Sequence, residues 1–328
     1  RGIPAIDISG LAEGAVRESR ERIRAAFRNS AFPFPNDRVL VNLAPASLKK
    51  SGSALDLPIA LAIMQAAKLV DIPENVLIMG ELELSGRVCP VPGVVAAIAT
   101  GLELGLHAYI VPQGNSGEAN ILCPARTCAV ASLVQTISFI NSWKNEGEIA
   151  FKRASANSLP LSRSIPEKQA RSPAGGTATV GNFNEVIGAY RYKRALEIMA
   201  AGGHNLMVFG PPGSGKTMLA RRMPSIMPRL SRHRAIEVTR IYSLAGLLQQ
   251  EDGLITQAPF RSPHHSASLE GILGGGRHIR PGEVSLAHRG ILFLDEAAEF
   301  RKHILQALRN SQAAIFQGLA QGLQYMLA

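Results

Sequence analysis

No stretch of this chain is apolar for long enough to cross a bilayer. The best run, Leu55 to Val70, is interrupted by Asp56, Pro58 and Lys68, whereas a spanning helix needs about 20 mostly apolar residues in succession. The run suits an amphipathic core helix, and no membrane is expected among the partners. The N-terminus lacks the basic region, apolar stretch and cleavage site of a secretory signal, so the expected location is cytoplasmic. Cysteine is scarce as well. Cys89, Cys123 and Cys128 are an odd number at spacings that fit no zinc pattern, which argues against a disulfide framework and predicts buried or idle thiols in a reducing compartment.

What the chain has in quantity is core-forming residues and positive charge. With 46% hydrophobic residues over 328 positions, two ordinary cores can be buried. The net charge of +10 is unevenly placed: residues 1–140 carry 12 Lys/Arg against 12 Asp/Glu, residues 141–180 carry 6 against 3, and residues 181–328 carry 17 against 10. Arg221, Arg222, Arg229, Arg232 and Arg234 are a dense part of that excess. Such a cluster suits a polyanion such as nucleic acid; a solvated helix face with acidic protein contacts is the alternative.

The run Gly210-Pro211-Pro212-Gly213-Ser214-Gly215-Lys216-Thr217 fits G-x-x-x-x-G-K-[ST]. In that pattern the glycines let successive backbone N–H groups turn toward phosphates, the lysine neutralises the β/γ charge, and the hydroxyl is offered to Mg²⁺. A chance match arises in roughly one chain of this length in a hundred at average glycine content, and the flanks decide against chance. Asn205 to Phe209 reads as a buried parallel strand, and Met218 to Met223 as the start of a helix whose N-terminus faces the anion. An apolar run ending in acids, Ile291-Leu292-Phe293-Leu294-Asp295-Glu296, supplies the matching carboxylates. The expected ligands are therefore ATP and Mg²⁺. A dinucleotide fold is excluded, because Gly213-Ser214-Gly215 lacks the third glycine of its fingerprint and Lys216 would crowd the pyrophosphate turn.

Helix and strand signals alternate on both sides of a polar stretch, predicting an α/β fold in two domains. Residues 1–143 form the first, with helices over Ala15 to Asn29, Leu55 to Leu69 and Val94 to Leu104 and strands over Arg38 to Asn42, Val76 to Met79, Glu81 to Val88 and Ala108 to Val111. Residues 144–180 read as a flexible linker, 181–310 as a second α/β domain with crossover helices, and 311–328 as a divergent tail. Between the two nucleotide motifs, His264-His265 invites a metal reading, but no third ligand has a recognisable spacing. Gly274-Gly275-Gly276 predicts a tight β-hairpin or a mobile loop, and the adjacent Arg277, His278 and Arg280 are donors that can reach a phosphate backbone.

Several of these segments, in this order, resemble the magnesium-chelatase-like AAA+ ATPases of the YifB/ComM type: Ala200 to Leu206, the phosphate loop, Phe260 to His265, and Pro281 to Gly290 running into Leu294-Asp295-Glu296. In the first half, Gly10-Leu11, Ala15 to Ser19, Val41 to Ala46 and Asp56 to Ala60 resemble the same proteins. The resemblance implies a Lon-protease-like domain followed by a P-loop AAA+ three-layer αβα domain. It implies a hexameric ring in the intact protein, acting as a motor on branched or single-stranded DNA in natural transformation and recombination. By position, Gly210 to Thr217 hold ATP, Thr217 and Asp295 hold Mg²⁺, Lys216 acts on the phosphates, Glu296 polarises the attacking water, and the loop at Gly274 to Arg280 faces the pore or a partner.

Two departures qualify the resemblance. Alignment with the Lon pattern places Ala54 at the serine and Val95 at the lysine of the proteolytic dyad, and neither can do that chemistry, so no protease activity is expected. After Leu308-Arg309 the sequence no longer follows the family toward a sensor, an arginine finger and a helical lid, as in a truncation before the lid. Together with the start at Arg1, this suggests a fragment that is weakly active or inert. The alternative role is a chelatase-like chaperone or assembly ATPase acting on a protein partner.

Overall fold

The structure, a computed structural model, describes residues 6–9, 13–43, 53–157, 181–248, 253–276 and 280–315. The chain divides into two compact units, residues 1–165 with 249–253 and residues 166–248 with 254–328. In the first, β1 (Ile6–Ser9) runs parallel to β2 (Val39–Asn42), with Ile6 opposite Val39 and α1 (Glu13–Asn29) in the connection. Ser19, Ile23, Ala26 and Phe27 put one face of α1 in the core, the i, i+4, i+7, i+8 pattern of an amphipathic helix. Then follow α2 (Asp56–Ala66), β3 (Val76–Ile78), β4 (Glu81–Leu82), β5 (Val88–Cys89), α3 (Val94–Glu103), β6 (Ala108–Pro112), α4 (Ser116–Leu122), β7 (Thr127–Val130), α5 (Leu133–Glu146) and α6 (Glu148–Asn157). A parallel sheet in the order β3-β6-β7 carries the fully buried β6 at its centre, the apolar run expected of a strand covered on both faces. Phe27, Leu57, Leu61, Ile110 and Val130 share one core.

The acid that interrupts the apolar run is an anchor rather than a breaker. Asp56, 1% exposed, accepts hydrogen bonds from Ser19 Oγ at 2.6 Å, Arg22 Nε at 2.7 Å and the Leu82 amide at 3.4 Å, tying α1, α2 and β4 together. The bond to Asp56 is the main reason that the Arg22 pKa lies above its ordinary value.

Two expectations for this unit need correction. The single strand expected over Glu81 to Val88 is the antiparallel pair β4-β5, because Ser85-Gly86 turns the chain and closes Glu83 N to Arg87 O at 3.0 Å. The first part of the expected linker is helical. Residues 144–146 end α5, and α6 buries Ala150 and Phe151 in the core, with Phe151 edge-on to Phe139 at 5.0 Å and to Trp143 at 5.2 Å. Residues 158–180 lie outside the described residues.

The second unit contains α7 (Tyr190–Gly202), α8 (Lys216–Arg222), α9 (Arg232–Leu244), β8 (Phe260–Arg261), α10 (Leu269–Leu273), β9 (Gly274–Gly275), β10 (Arg280–Pro281), α11 (Glu283–Leu286), β11 (Ile291–Leu292) and α12 (Lys302–Ile315). The parallel pair β8-β11 places Phe260 opposite Ile291. Gly290 permits it: a Cβ there would lie 2.1 Å from the Pro259 carbonyl, which accepts from the Ile291 amide at 2.8 Å. The glycine run forms the expected hairpin, β9 antiparallel to β10, while Arg277 and His278 lie outside the described residues.

Here too the expectations are amended. Residues 205–209 pair with no strand among the described residues, and Phe209 is 82% and Met207 47% exposed. The segment keeps the period of two, with Leu206 and Val208 half-buried, but an apolar run without ladder partners is not a buried strand. Two-stranded pairs are less than the three-layer αβα arrangement expected for this domain. Helix α12 continues through the expected boundary at 310 to Ile315, and 316–328 lie outside the described residues. No described helix is long and apolar enough to cross a membrane.

Candidate functional site

The phosphate-loop motif ends where a helix begins. Gly215 caps α8 in the left-handed region, φ +82°, and Gly213 is also left-handed at +77°, backbone that side-chain-bearing residues adopt only with strain. The loop from Gly210 to Ser214 is exposed, and Lys216 and Thr217 are half-buried at the first turn of α8. Leu219 on the buried face of α8 and Met223 just after that helix pack with Leu196 and Phe183, and Tyr192 of α7 donates from its hydroxyl to the Lys216 carbonyl at 3.1 Å. The lysine is thus fixed through its main chain while its side chain stays at the surface. Lys216 Nζ donates to the Gly210 carbonyl at 2.7 Å and to the Pro211 carbonyl at 2.8 Å. Neutral carbonyls are weak partners for an ammonium compared with a phosphate oxygen.

The second motif reaches the first. Thr217 Oγ1 donates to Asp295 Oδ2 at 2.9 Å across 78 positions, bringing together the two groups that the sequence assigned to one metal. Burial, and then the charge of Asp295, push the Tyr192 phenol up. Glu296, next in the chain, is exposed and adopts φ +51°, ψ +49°, a conformation that costs a non-glycine residue about 1 kcal/mol or more. It does not face Thr217 with Asp295: its Oε2 lies 3.9 Å from His265 Nδ1, and Glu299 Oε2 lies 3.4 Å from the same nitrogen.

Sequence reasoning missed this His265-Glu296-Glu299 group, and it missed two other constellations. Arg261 on β8 forms a bidentate pair with Glu283 on α11, both bonds 2.6 Å. The pair ties Phe260 to His265 to Pro281 to Gly290 and lifts the Arg261 pKa, its hydrogen bonds to Glu283 first among the causes. Glu237 on α9 meets His233 at 3.1 Å, His288 at 3.2 Å and Arg289 at 2.9 Å. Burial works to raise the Glu237 pKa, but the hydrogen bonds and charges of Arg289 and His288 outweigh it and hold the carboxyl below its usual range. His233 and Glu237 stand four apart on α9, a helical spacing that could have been read; the other contacts span tens of positions with no spacing rule to reveal them.

Of the five clustered arginines, Arg222 pairs with Glu185 at 3.7 Å, whereas Arg221, Arg229, Arg232 and Arg234 are exposed. In the first unit Ala54 packs against the cluster of Val91, Val94 and Ile98, and Val95 is fully buried in α3. Burial pushes the Cys128 thiol up to about 12 and, with Glu83, the Cys89 thiol up to about 11, so at neutral pH neither supplies the thiolate that reacts or ligates.

Comparison with known proteins gives the family of the chain. Residues 182–314 match the family "Magnesium chelatase, subunit ChlI", and residues 1–115 match "Subunit ChlI of Mg-chelatase". The uncharacterized protein YifB of Salmonella typhimurium is 42% identical over 94% of this chain and 57% of its own length. The competence protein ComM of Haemophilus influenzae is 38% identical over 94% of this chain and 58% of its own. The archaeal Lon protease of Thermoplasma acidophilum is 29% identical over 40% of this chain and 20% of its own. The chain therefore spans somewhat over half the length of the curated YifB and ComM relatives. With a ChlI match in each half and this identity along nearly all of its residues, the chain belongs to the magnesium-chelatase-like AAA+ proteins of the YifB/ComM type.

Proposed function

We propose that the second unit binds ATP with Mg²⁺ and hydrolyses it, and that the complete protein uses the hydrolysis to remodel branched or single-stranded DNA. The observation that carries the nucleotide part is the Thr217–Asp295 hydrogen bond. A hydroxyl and a carboxylate oxygen held together are hard oxygen donors of the kind Mg²⁺ takes beside a phosphate. In this reading Thr217 and Asp295 hold the ion, which supplies charge neutralisation at the β/γ-phosphates. Lys216 exchanges two backbone carbonyls for phosphate oxygens. The amides of Gly213 to Thr217 line the anion, and Glu296 takes the proton of the attacking water after its side chain turns from His265 toward the site.

Exposed Arg221, Arg229, Arg232 and Arg234 support the DNA part. Their field would also attract an acidic protein, the role of an assembly ATPase. A salt titration separates these: phosphate contacts make log affinity fall steeply and linearly with log salt, so forked DNA should lose binding by orders of magnitude between low and physiological salt. Salt-insensitive binding of DNA would remove the arginines from its recognition. For the intact protein we infer a hexameric ring. The domain plan is a Lon-like module over the first unit, a linker before residue 181, and the ATPase beyond. With Ala54 and Val95 at the positions of the proteolytic dyad, the first unit serves for docking or for guiding DNA rather than for proteolysis.

A further inference from the structure

We propose that His265, Glu296 and Glu299 form a second cation site, separate from the Thr217–Asp295 pair, for a borderline first-row ion of which Zn²⁺ is the type, and that an ion held there keeps Glu296 away from the nucleotide. Two chain segments meet to make it. His265 follows β8, and its ring lies beside that of His264, centroids 4.1 Å apart. The two glutamates stand on one turn after β11, closed by the Glu299 amide donating to the Glu296 carbonyl at 2.8 Å. Glu296 has left-handed backbone, φ +51°, and its carboxylate lies 3.9 Å from the imidazole.

The distances suit a shared ion. The three donor atoms lie within 4.8 Å of one another, with the imidazole nitrogen 3.4 Å from Glu299 and 3.9 Å from Glu296. Tetrahedral ligands at Zn–N and Zn–O lengths of about 2.1 Å stand about 3.4 Å apart, so small side-chain rotations close the set. One imidazole and two carboxylates select Zn²⁺, Co²⁺ or Ni²⁺ over Mg²⁺, which prefers oxygen and keeps its waters. His265 is half-buried and both carboxylates are exposed, leaving the fourth position to water.

Only the effect on turnover rests on the proposed role of Glu296; the site itself does not. The test is calorimetric titration of the nucleotide-free protein with ZnCl₂ in a Mg²⁺-containing buffer. The expected result is one zinc ion per chain, bound at least tenfold more weakly by both His265→Ala and Glu299→Gln and unchanged in Asp295→Asn and in the exposed-histidine control His303→Ala. The two variants guard against a folding defect in either one. Absence of zinc binding by the parent, or parental affinity in both site variants, would reduce the group to an ion pair and overturn the site. Zinc should also slow phosphate release by the parent and not by Glu299→Gln; zinc bound without slowing would keep the site and overturn its effect on Glu296.

Discussion

Thr217 and Asp295 are joined by a 2.9 Å hydrogen bond although 78 positions separate them, so the start of α8 and the segment that follows β11 act as one local unit. Thr217→Val would leave the carboxylate without its hydroxyl donor and remove one oxygen from the proposed Mg²⁺ site. About tenfold weaker ATP binding is expected in Mg²⁺, with little change when Mg²⁺ is chelated, since a hydrogen bond to a charged group contributes about 1.5–3 kcal/mol. Fluorescent-nucleotide titration with and without EDTA measures the difference; equal losses in both conditions would separate Thr217 from the metal.

Glu296→Gln should keep ATP bound and cut hydrolysis by about 10² to 10⁴, the usual contribution of a positioned base. The amide preserves shape and loses the proton acceptor. Phosphate release at the parental rate would take Glu296 out of the reaction.

In the first unit the prediction concerns stability. Asp56→Ala strips a 1% exposed carboxylate from Ser19 and Arg22 and leaves that guanidinium without its shortest ion-pair partner. A buried pair broken on one side costs about 3–5 kcal/mol; because Arg22 keeps about a fifth of its side chain exposed, the low end of that range is expected. Urea unfolding followed by Trp143 fluorescence reads it, and a loss below about 1 kcal/mol would show that the network does not hold α1 to α2.

Glu237 sets an acid limb. Its folded pKa lies below the ordinary 4.5, so the carboxylate contributes stability above that ordinary value and loses it as pH falls through the lowered one. Glu237→Gln should therefore be less stable than the parent at neutral pH, with the gap closing below about pH 4.5. A gap that widens toward acid would reverse the sign of the interaction.

How much was legible follows the range of each signal. The phosphate loop, its helix and the paired acids lie in short segments whose chemistry needs those residues in that order, and Thr217 and Asp295, read from those segments, stand 2.9 Å apart. The helices over Glu13–Asn29, Asp56–Ala66 and Val94–Glu103 were visible in their apolar periods. Asn205 to Phe209 misled because an apolar run specifies a strand only when another segment supplies the ladder. Glu148–Asn157 was hidden by its polar composition: Phe151, which fixes it, does so through Phe139 and Trp143 in the preceding helix. His265 and Glu296 were each noticed, but not as neighbours, since Glu296 and Glu299 arrive from 31 and 34 positions away through the pairing of β8 with β11.

Whether Gly210 to Thr217 hold a triphosphate turns on Lys216. Calorimetric titration of ATP in Mg²⁺ into the parent and into Lys216→Ala, with circular dichroism to show that the fold is kept, should give measurable binding to the parent and a loss of at least tenfold in the variant. ATP bound equally well by a folded Lys216→Ala protein would rule out this loop as the phosphate site.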